Sequence, residues 1–177
     1  MVRKVAQCSL LSFLSHLQLA DMSADENKSQ HGCAVVLGAQ GVVVLGPSGS
    51  GKSRLSHKLV ESWNQHRGYA RWVADDRILV SQNGSHYIVT SPSNLEGLAE
   101  RRFRGIESVP YQSRAVVDLV VNLKPRSALD RLPGEQKLQL TPDGPQIPAV
   151  TVPEDSISQA IELIEARLAP DSQISGH

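Results

Sequence analysis

The segment Gly46–Ser53 constrains the fold of this 177-residue chain more than any other. It fits the pattern Gly-x-x-x-x-Gly-Lys-Ser/Thr, in which a glycine-rich turn between a strand and a helix wraps around phosphate groups. The apolar run Val42–Leu45 before it indicates a buried strand, and Leu55, Leu59 and Trp63 after it recur at helical spacing. The sequence therefore predicts a strand, a phosphate loop and a helix in that order.

The residues of this loop suit a nucleotide. Gly49 and Gly51 let backbone N–H groups turn inward onto phosphate oxygens, and the start of the following helix adds its positive dipole end. Lys52 is expected to reach the β- and γ-phosphates, and the Ser53 hydroxyl to bind Mg²⁺. The alternative is a Ser-Gly turn that contains a lysine by chance. We expect ATP and Mg²⁺ as cofactors, with eight nucleotide-binding residues: Gly46, Pro47, Ser48, Gly49, Ser50, Gly51, Lys52 and Ser53.

Charge, cysteine content and hydropathy exclude several classes of protein. Lys plus Arg (18) balance Asp plus Glu (18), so the strongly basic surface of a nucleic-acid-binding protein is not expected. Cys8 and Cys33 form no metal-binding spacing, which favours a reduced, cytoplasmic protein. No apolar run reaches the roughly 18 residues that a membrane span needs. The segment Cys8–Ala20 only loosely resembles a signal peptide, because His16 and Gln18 interrupt it.

The rest of the pattern predicts one α/β domain. We expect a disordered or extension segment over residues 1–30, a P-loop catalytic domain over 31–170 and a disordered tail over 171–177. Asn83-Gly84 between two β-branched runs predicts a hairpin, and Ala115–Val121 predicts a buried strand.

Two C-terminal segments complete this expectation. The Pro-rich tract 125–153 is expected to supply loops, edge strands and a small second β layer. Apolar residues from Ile157 to Leu168 predict an amphipathic helix. The fold class is therefore a P-loop-containing mixed β-sheet with flanking helices and a small second β layer.

Phosphoryl transfer needs carboxylates, and three aspartates are candidates. Asp75 and Asp76 end a strand expected over Tyr69–Val73, beside the phosphate loop, where one acid can accept a hydroxyl proton and the other can help to bind the metal. The alternative is a surface turn with two solvated acids. Asp118 is the rival for the metal, or a strand residue that faces solvent.

A basic segment, Glu96–Arg104, contains three arginines and two glutamates. Such a segment is usually a solvated helix or the rim of a loop, whose ion pairs contribute little to stability. The alternative is a basic cluster that holds a phosphorylated product or a substrate backbone.

Taken in order, these motifs resemble the catalytic domain of HPr kinase/phosphorylase. That P-loop enzyme phosphorylates a serine of HPr, the phosphocarrier protein of the bacterial sugar phosphotransferase system. The resemblance covers residues 31–168 and rests on five elements: His31-Gly32, the phosphate loop, Trp72–Asp76, Leu129–Leu132, and Glu100–Ile106 with Glu100, Arg102, Gly105 and Ile106 in register.

The resemblance implies an ATP- and Mg²⁺-dependent protein serine kinase with HPr as its substrate, assembled as a homo-oligomer. It implies that Asp75 takes the serine proton, that Ser53 and Glu100 bind Mg²⁺, and that His31, Lys52 and Arg131 assist. With Asp76, the expected metal set is Ser53, Glu100 and Asp76. For His31 the alternative is a structural histidine, and for Arg131 an ordinary surface arginine.

Departures from the family pattern limit what the resemblance implies. Arg101, Phe103 and Arg104 replace apolar or glycine positions, so a different substrate-facing surface is expected. No match to the family's N-terminal domain is found, which favours a short form. The segment Ile147–Asp155 lacks the arginines that serve the reverse phosphorylase reaction, so that activity is in doubt.

Two other functions stay open. One is a small-molecule kinase, although no arginine-rich lid insertion is apparent. The other is a non-catalytic nucleotide-sensing protein that binds a signalling partner such as a sensor kinase. A GTPase is not expected, because the chain has no Asn-Lys-x-Asp motif.

Overall fold

The computed structural model describes residues 28–101 and 103–169, which form a curled mixed β-sheet with helices packed on one face. The helices are α1, Lys52–His66, and α2, Ile157–Leu168, and a 3₁₀ turn spans Arg126–Ala128. The strands are β1 Lys28–His31, β2 Cys33–Leu37, β3 Gln40–Leu45, β4 Ala70–Ala74, β5 Arg77–Asn83, β6 His86–Thr90, β7 Leu98–Arg101, β8 Gly105–Ser108, β9 Arg114–Lys124, β10 Gln136–Leu138 and β11 Ile147–Pro153.

Strand β9 joins the parts of the sheet, whose order is β1-β5-β6-β9-β3-β2-β4. It runs parallel to β3, with Val43 opposite Val120, and parallel to β11, with Val152 opposite Leu123. Its first residues pair antiparallel with β6. Strand β10 pairs with β11, and β7 and β8 form a separate hairpin. At 11 residues, β9 is long enough to pair with β6 near one end and with β11 near the other.

Two hydrophobic cores lie on opposite faces of the β2-β3-β9 layer. Alternate residues of β2 separate them, because side chains along a strand point to opposite faces. Cys33, Val35 and Leu37 pack with α1 and α2, whereas Ala34 and Val36 pack with residues of β5 and β6. The helix-side core therefore anchors α1 and the phosphate loop that precedes it.

Several predicted elements are confirmed. Strand β3 precedes the phosphate loop and α1 follows it, with Gly68 in a left-handed conformation (φ 105°) just past the helix end. The predicted hairpin is β5-β6, whose tight turn includes Gly84 at φ 59°. The predicted C-terminal helix is α2.

Other elements differ from the prediction. The sheet begins at Lys28, three residues before the expected boundary, because β1 pairs with β5. The second β layer comes from β1, β5 and β6 rather than from the Pro-rich tract, whose β10 and β11 extend the main layer. The basic segment forms the β7-β8 hairpin instead of a helix. The expectations for Cys8–Ala20, Arg102 and residues 171–177 lie outside the described residues.

No helix in the described ranges is both long and apolar enough to cross a membrane.

Tyr87 ties the Pro-rich tract to the second layer and gives a test of the fold. Its side chain is fully buried, and its hydroxyl oxygen accepts hydrogen bonds from the backbone N–H groups of Leu140 (3.2 Å) and Thr141 (3.3 Å). We expect Tyr87→Phe to lower the free energy of unfolding by about 1–3 kcal/mol, because buried donors lose their acceptor. Urea denaturation measures this. As a control, exposed Tyr69→Phe is expected to change it by less than about 0.5 kcal/mol.

Candidate functional site

The phosphate loop connects the end of β3 to the first turn of α1. Gly49 (φ 78°) and Gly51 (φ 92°) both adopt left-handed backbone, as the sequence predicts. Lys52 is buried, and its Nζ donates hydrogen bonds to the carbonyl oxygens of Gly46 (3.1 Å) and Pro47 (2.9 Å). The lysine ammonium therefore curls back over the start of its own loop.

The loop fits a bound phosphate chain in two respects. A Cβ added at Gly49 or Gly51 would meet no atom within 4 Å, so open space lies over both glycines. The Ser50 hydroxyl is buried and has no hydrogen-bond partner among the described residues, although a buried hydroxyl normally has one. The open space over the two glycines leaves room for phosphate oxygens, so the residues present suit a nucleotide.

A cavity of about 700 Å³ opens over this loop. Such a volume suits a molecule of nucleotide size. Among the predicted site residues, Asp76 and Glu100 line the cavity together with the loop. The wall elsewhere is partly apolar and partly basic, and is formed by Arg54, Leu55, His57, Arg101, Phe103, Leu123, Pro153, Glu154, Ile157 and Ala160.

Asp75 follows β4 and is buried, with only 7% of its surface exposed. Its Oδ1 accepts a hydrogen bond from the Cys33 thiol (3.1 Å), and its Oδ2 accepts one from the backbone N–H of Glu100 (3.0 Å). A register shift between Ala34 and Val35, where β2 pairs with β4, lies next to this acid. Such bulges re-aim side chains. The alternative of a solvated surface acid is therefore wrong for Asp75.

Asp76 differs from its neighbour in both exposure and backbone conformation. Its side chain is 73% exposed, and its backbone is left-handed (φ 63°), which asparagine and aspartate tolerate better than most residues. The turn is closed by Arg77 N–H donating to the Asp75 carbonyl at 2.8 Å, and Gly32 N–H donates to the Asp76 carbonyl at 3.1 Å. His31 Nδ1 lies 3.8 Å from Asp76 Oδ1. The predicted His31 and Asp76 are thus neighbours, and of the two only Asp76 lines the cavity that the described residues form.

The predicted metal set is partly assembled. Ser53, Asp76 and Glu100 line the same cavity, but the described residues contain no group of three or more His, Cys, Asp or Glu side chains arranged to hold a metal ion. This arrangement suits Mg²⁺, which usually takes one or two protein carboxylates and completes its shell with waters and substrate phosphates.

Apart from Gly46 and Pro47 of the loop, the predicted residues absent from the cavity lining that the structure describes are His31, Asp75, Asp118 and Arg131. Asp118 is exposed, and its Oδ2 accepts a hydrogen bond from Gly41 N–H (2.8 Å) at the start of β3. The phosphate loop begins after the other end of β3, about 16 Å along the strand. Arg131 is exposed in the loop after the 3₁₀ turn and is absent from the cavity lining that the described residues form.

The β7-β8 hairpin places basic side chains beside the cavity. Arg101 contacts the His57 ring and lies 3.3 Å from Glu107, which also pairs with Arg104 at 2.9 Å. Burial, and next the Arg101 charge, lower the pKa of His57. Phe103 at the tip is fully exposed with φ 66°. Of the three predicted arginines, Arg101 and Arg104 flank Glu107, which offsets part of their charge.

Sequence reasoning missed Cys33 as a site residue. Its Sγ lies 3.1 Å from Asp75 Oδ1 and 3.6 Å from Ser53 Oγ, so it bridges the predicted proton acceptor and the predicted metal ligand. Burial, and next the Asp75 charge, raise the pKa of the Cys33 thiol from 9.0 to about 12. Its place directly after His31-Gly32 was the one available signal.

The raised pKa predicts a pH dependence of stability. In the unfolded chain the thiol loses its proton near 9.0, whereas in the native state it keeps it until about 12. The unfolded state therefore binds fewer protons between these values, and stability falls as pH rises, by at most about 1.4 kcal/mol per pH unit. Urea denaturation from about pH 8 to about pH 10 should show a steeper fall for the wild type than for Cys33→Ser. Parallel curves would contradict the prediction.

Comparisons with known proteins agree with this geometry. The profile of the HPr Serine kinase C-terminal domain matches residues 22–172. HPr kinase/phosphorylase from Lacticaseibacillus casei strain BL23 is 35% identical over 75% of this chain and 43% of its own. The enzyme of that name from Lactobacillus acidophilus is 34% identical over 78% of this chain and 44% of its own. The chain thus spans less than half the length of these curated relatives.

A solved structure confirms the fold. The HPr(Ser) kinase/phosphatase from Coxiella burnetii superposes with a TM-score of 0.65 at 22% identity, over 79% of this chain and 95% of that one. The expected α/β class with a P-loop and a mixed sheet is therefore confirmed.

Proposed function

Because the chain belongs to the HPr Serine kinase C-terminal domain family, we propose that it transfers the γ-phosphoryl group of ATP to a serine of the phosphocarrier protein HPr. The observation that carries this proposal is the position of Asp75, a buried acid joined to the phosphate loop through Cys33 and Ser53. A loop of this kind binds phosphate in many proteins, but a carboxylate this close to it adds a proton acceptor.

The proposed reaction needs one proton acceptor and one phosphate clamp from this chain. The serine oxygen of HPr attacks the γ-phosphorus, its proton passes to the Asp75 carboxylate, and the bond from the γ-phosphorus to the bridging oxygen breaks with its electron pair leaving on ADP. Lys52 Nζ, which donates to two loop carbonyls, would donate to phosphate oxygens. Bound Mg²⁺ would neutralise charge on the phosphates, with Ser53, Asp76 and Glu100 as its protein partners.

Two residue roles, a location and an oligomeric state belong to the same proposal. His31 acts through its contact with Asp76, and Arg131, in the exposed loop, supplies a cation for the developing phosphate charge. The kinase works in the cytoplasm, as its cysteine content favours, and as a homo-oligomer, as the resemblance implies. The reverse phosphorylase reaction is left out of the proposal, because the segment Ile147–Asp155 contains no arginine.

The test is transfer of labelled γ-phosphate from ATP to purified HPr. We expect phosphoserine on HPr in the presence of Mg²⁺, no label after Mg²⁺ is removed with a chelator, and no label on an HPr whose target serine is replaced by alanine. ATP binding without transfer would contradict the kinase. That outcome would favour nucleotide sensing, with a signalling partner such as a sensor kinase to be sought by pull-down with and without ATP.

A further inference from the structure

The orientation of the Asp75 carboxylate is set by two donors from different strands. The backbone N–H of Glu100, on β7, donates a hydrogen bond to Oδ2. The thiol of Cys33, on β2, donates one to Oδ1. The carboxylate of an aspartate can rotate about its Cβ–Cγ bond unless both oxygens are hydrogen-bonded. Two donors from separate strands therefore fix the plane of the carboxylate as well as its position. The thiol is the side-chain member of this pair.

The sheet order explains why a residue of β2 fills this role. Strand β2 lies between β3, which leads into the phosphate loop, and β4, which ends next to Asp75. Cys33 is the first residue of β2 and points to the helix side, where it also lies 3.6 Å from Ser53 Oγ. The Cys33 side chain therefore spans the distance between Asp75 and Ser53.

We infer that Cys33 is a positioning residue for phosphoryl transfer, whose thiol orients Asp75 toward the incoming hydroxyl and sets its spacing from Ser53. This inference rests on the proposed function of the same site. A thiol is a weak donor in general, but a bond to an ionised carboxylate is stronger than a neutral one.

The competing explanation is that Cys33 only fills space. It is fully buried, and it belongs to the helix-side core with Val35, two residues further along the same face of β2. Val35 is equally buried and has no polar atom in its side chain. Truncation of Val35 therefore reproduces the loss of packing without the loss of a donor to Asp75.

The experiment compares Cys33→Ala, Cys33→Ser and Val35→Ala with the wild type in kcat, KM for ATP, nucleotide affinity and thermal stability. We expect Cys33→Ala to lower kcat by about tenfold with KM for ATP nearly unchanged, because a misdirected base slows the chemical step and not binding. Cys33→Ser restores a donor and is expected to recover most of the kcat. Val35→Ala is expected to lose stability and keep its kcat.

Two outcomes would overturn the inference. One is a folded Cys33→Ala protein with wild-type kcat. The other is an equal fall in kcat for Cys33→Ser and Cys33→Ala, which is the result of a packing defect.

Crystal structures of the wild type and of Cys33→Ala separate this inference from the proposed function. We expect the Asp75 carboxylate to rotate, or to spread over two rotamers, once the thiol is gone. A carboxylate that keeps its single orientation would overturn the positioning role, whatever the activity. If the wild type binds nucleotide and transfers nothing to HPr, the proposed function fails, and the Asp75 orientation in the two structures still decides the role of Cys33.

Discussion

Asp75→Asn is expected to lower phosphoryl transfer to HPr by about 10²–10⁴-fold, the usual contribution of a positioned general base. An amide cannot take the serine proton, yet it has nearly the same shape and keeps an oxygen that accepts the bond from Cys33 or Glu100. The change leaves the phosphate loop intact, so ATP affinity is expected to stay within about twofold. Single-turnover transfer of labelled phosphate measures the rate, and isothermal titration calorimetry measures the affinity.

Asp118→Asn is the matched control for this change. It makes the same substitution at an exposed aspartate beside the start of β3, at the end of that strand remote from the phosphate loop. The amide oxygen of the new side chain would still accept the hydrogen bond from Gly41 N–H. We expect wild-type transfer from this variant. Full activity of Asp75→Asn would show that the serine proton leaves by another route and would remove Asp75 from the mechanism.

Lys52→Met is expected to lower kcat/KM for ATP by about 10²–10³-fold, as loss of one donor to developing charge typically does. Methionine keeps most of the length of the buried side chain but has no donor for the phosphates and no positive charge. Steady-state kinetics with HPr as acceptor, and titration with ATP and Mg²⁺, measure the effect on transfer and on binding.

Lys58→Met serves as its control on the same helix. Lys58 is exposed and forms an i,i+3 ion pair with Glu61 at 2.6 Å, outside the cavity wall. Exposed pairs of this kind contribute little, so activity and stability are expected to remain close to wild type. Equal losses in the two lysine variants would indicate a general effect of helix charge and not a phosphate contact by Lys52.

The parts of the site that the sequence predicts are those with local causes. The phosphate loop needs left-handed glycines at fixed positions between a strand and a helix, and Gly49 and Gly51 meet that need within eight residues. The same holds for the β5-β6 hairpin, where a two-residue turn decides the pairing of its own strands. Neither depends on distant residues.

The parts that were missed depend on pairings between distant segments. Asp75 and Asp76 are adjacent in sequence, and only the register of β4 against β2 buries one and exposes the other. Cys33 gains a role because β2 inserts between β3 and β4, which no local pattern reveals. The charges of the arginine-rich segment favour a helix or a loop rim. They obscure the short β7-β8 pairing, which places the Glu100 N–H against Asp75.

Strand β9 has a consequence for how the molecule folds and opens. It is hydrogen-bonded to β3, β6 and β11, which are far apart in sequence. Each pairing therefore costs the entropy of closing a long loop before its contacts contribute to stability. Chains with such non-local pairings fold slowly. Because β9 pairs with strands of both layers, neither layer can separate from the sheet while β9 keeps its hydrogen bonds. The central amides of β9 should therefore exchange with solvent deuterium only through global unfolding. Strands β7 and β8, which form a separate two-stranded sheet in the described part of the chain, should open first.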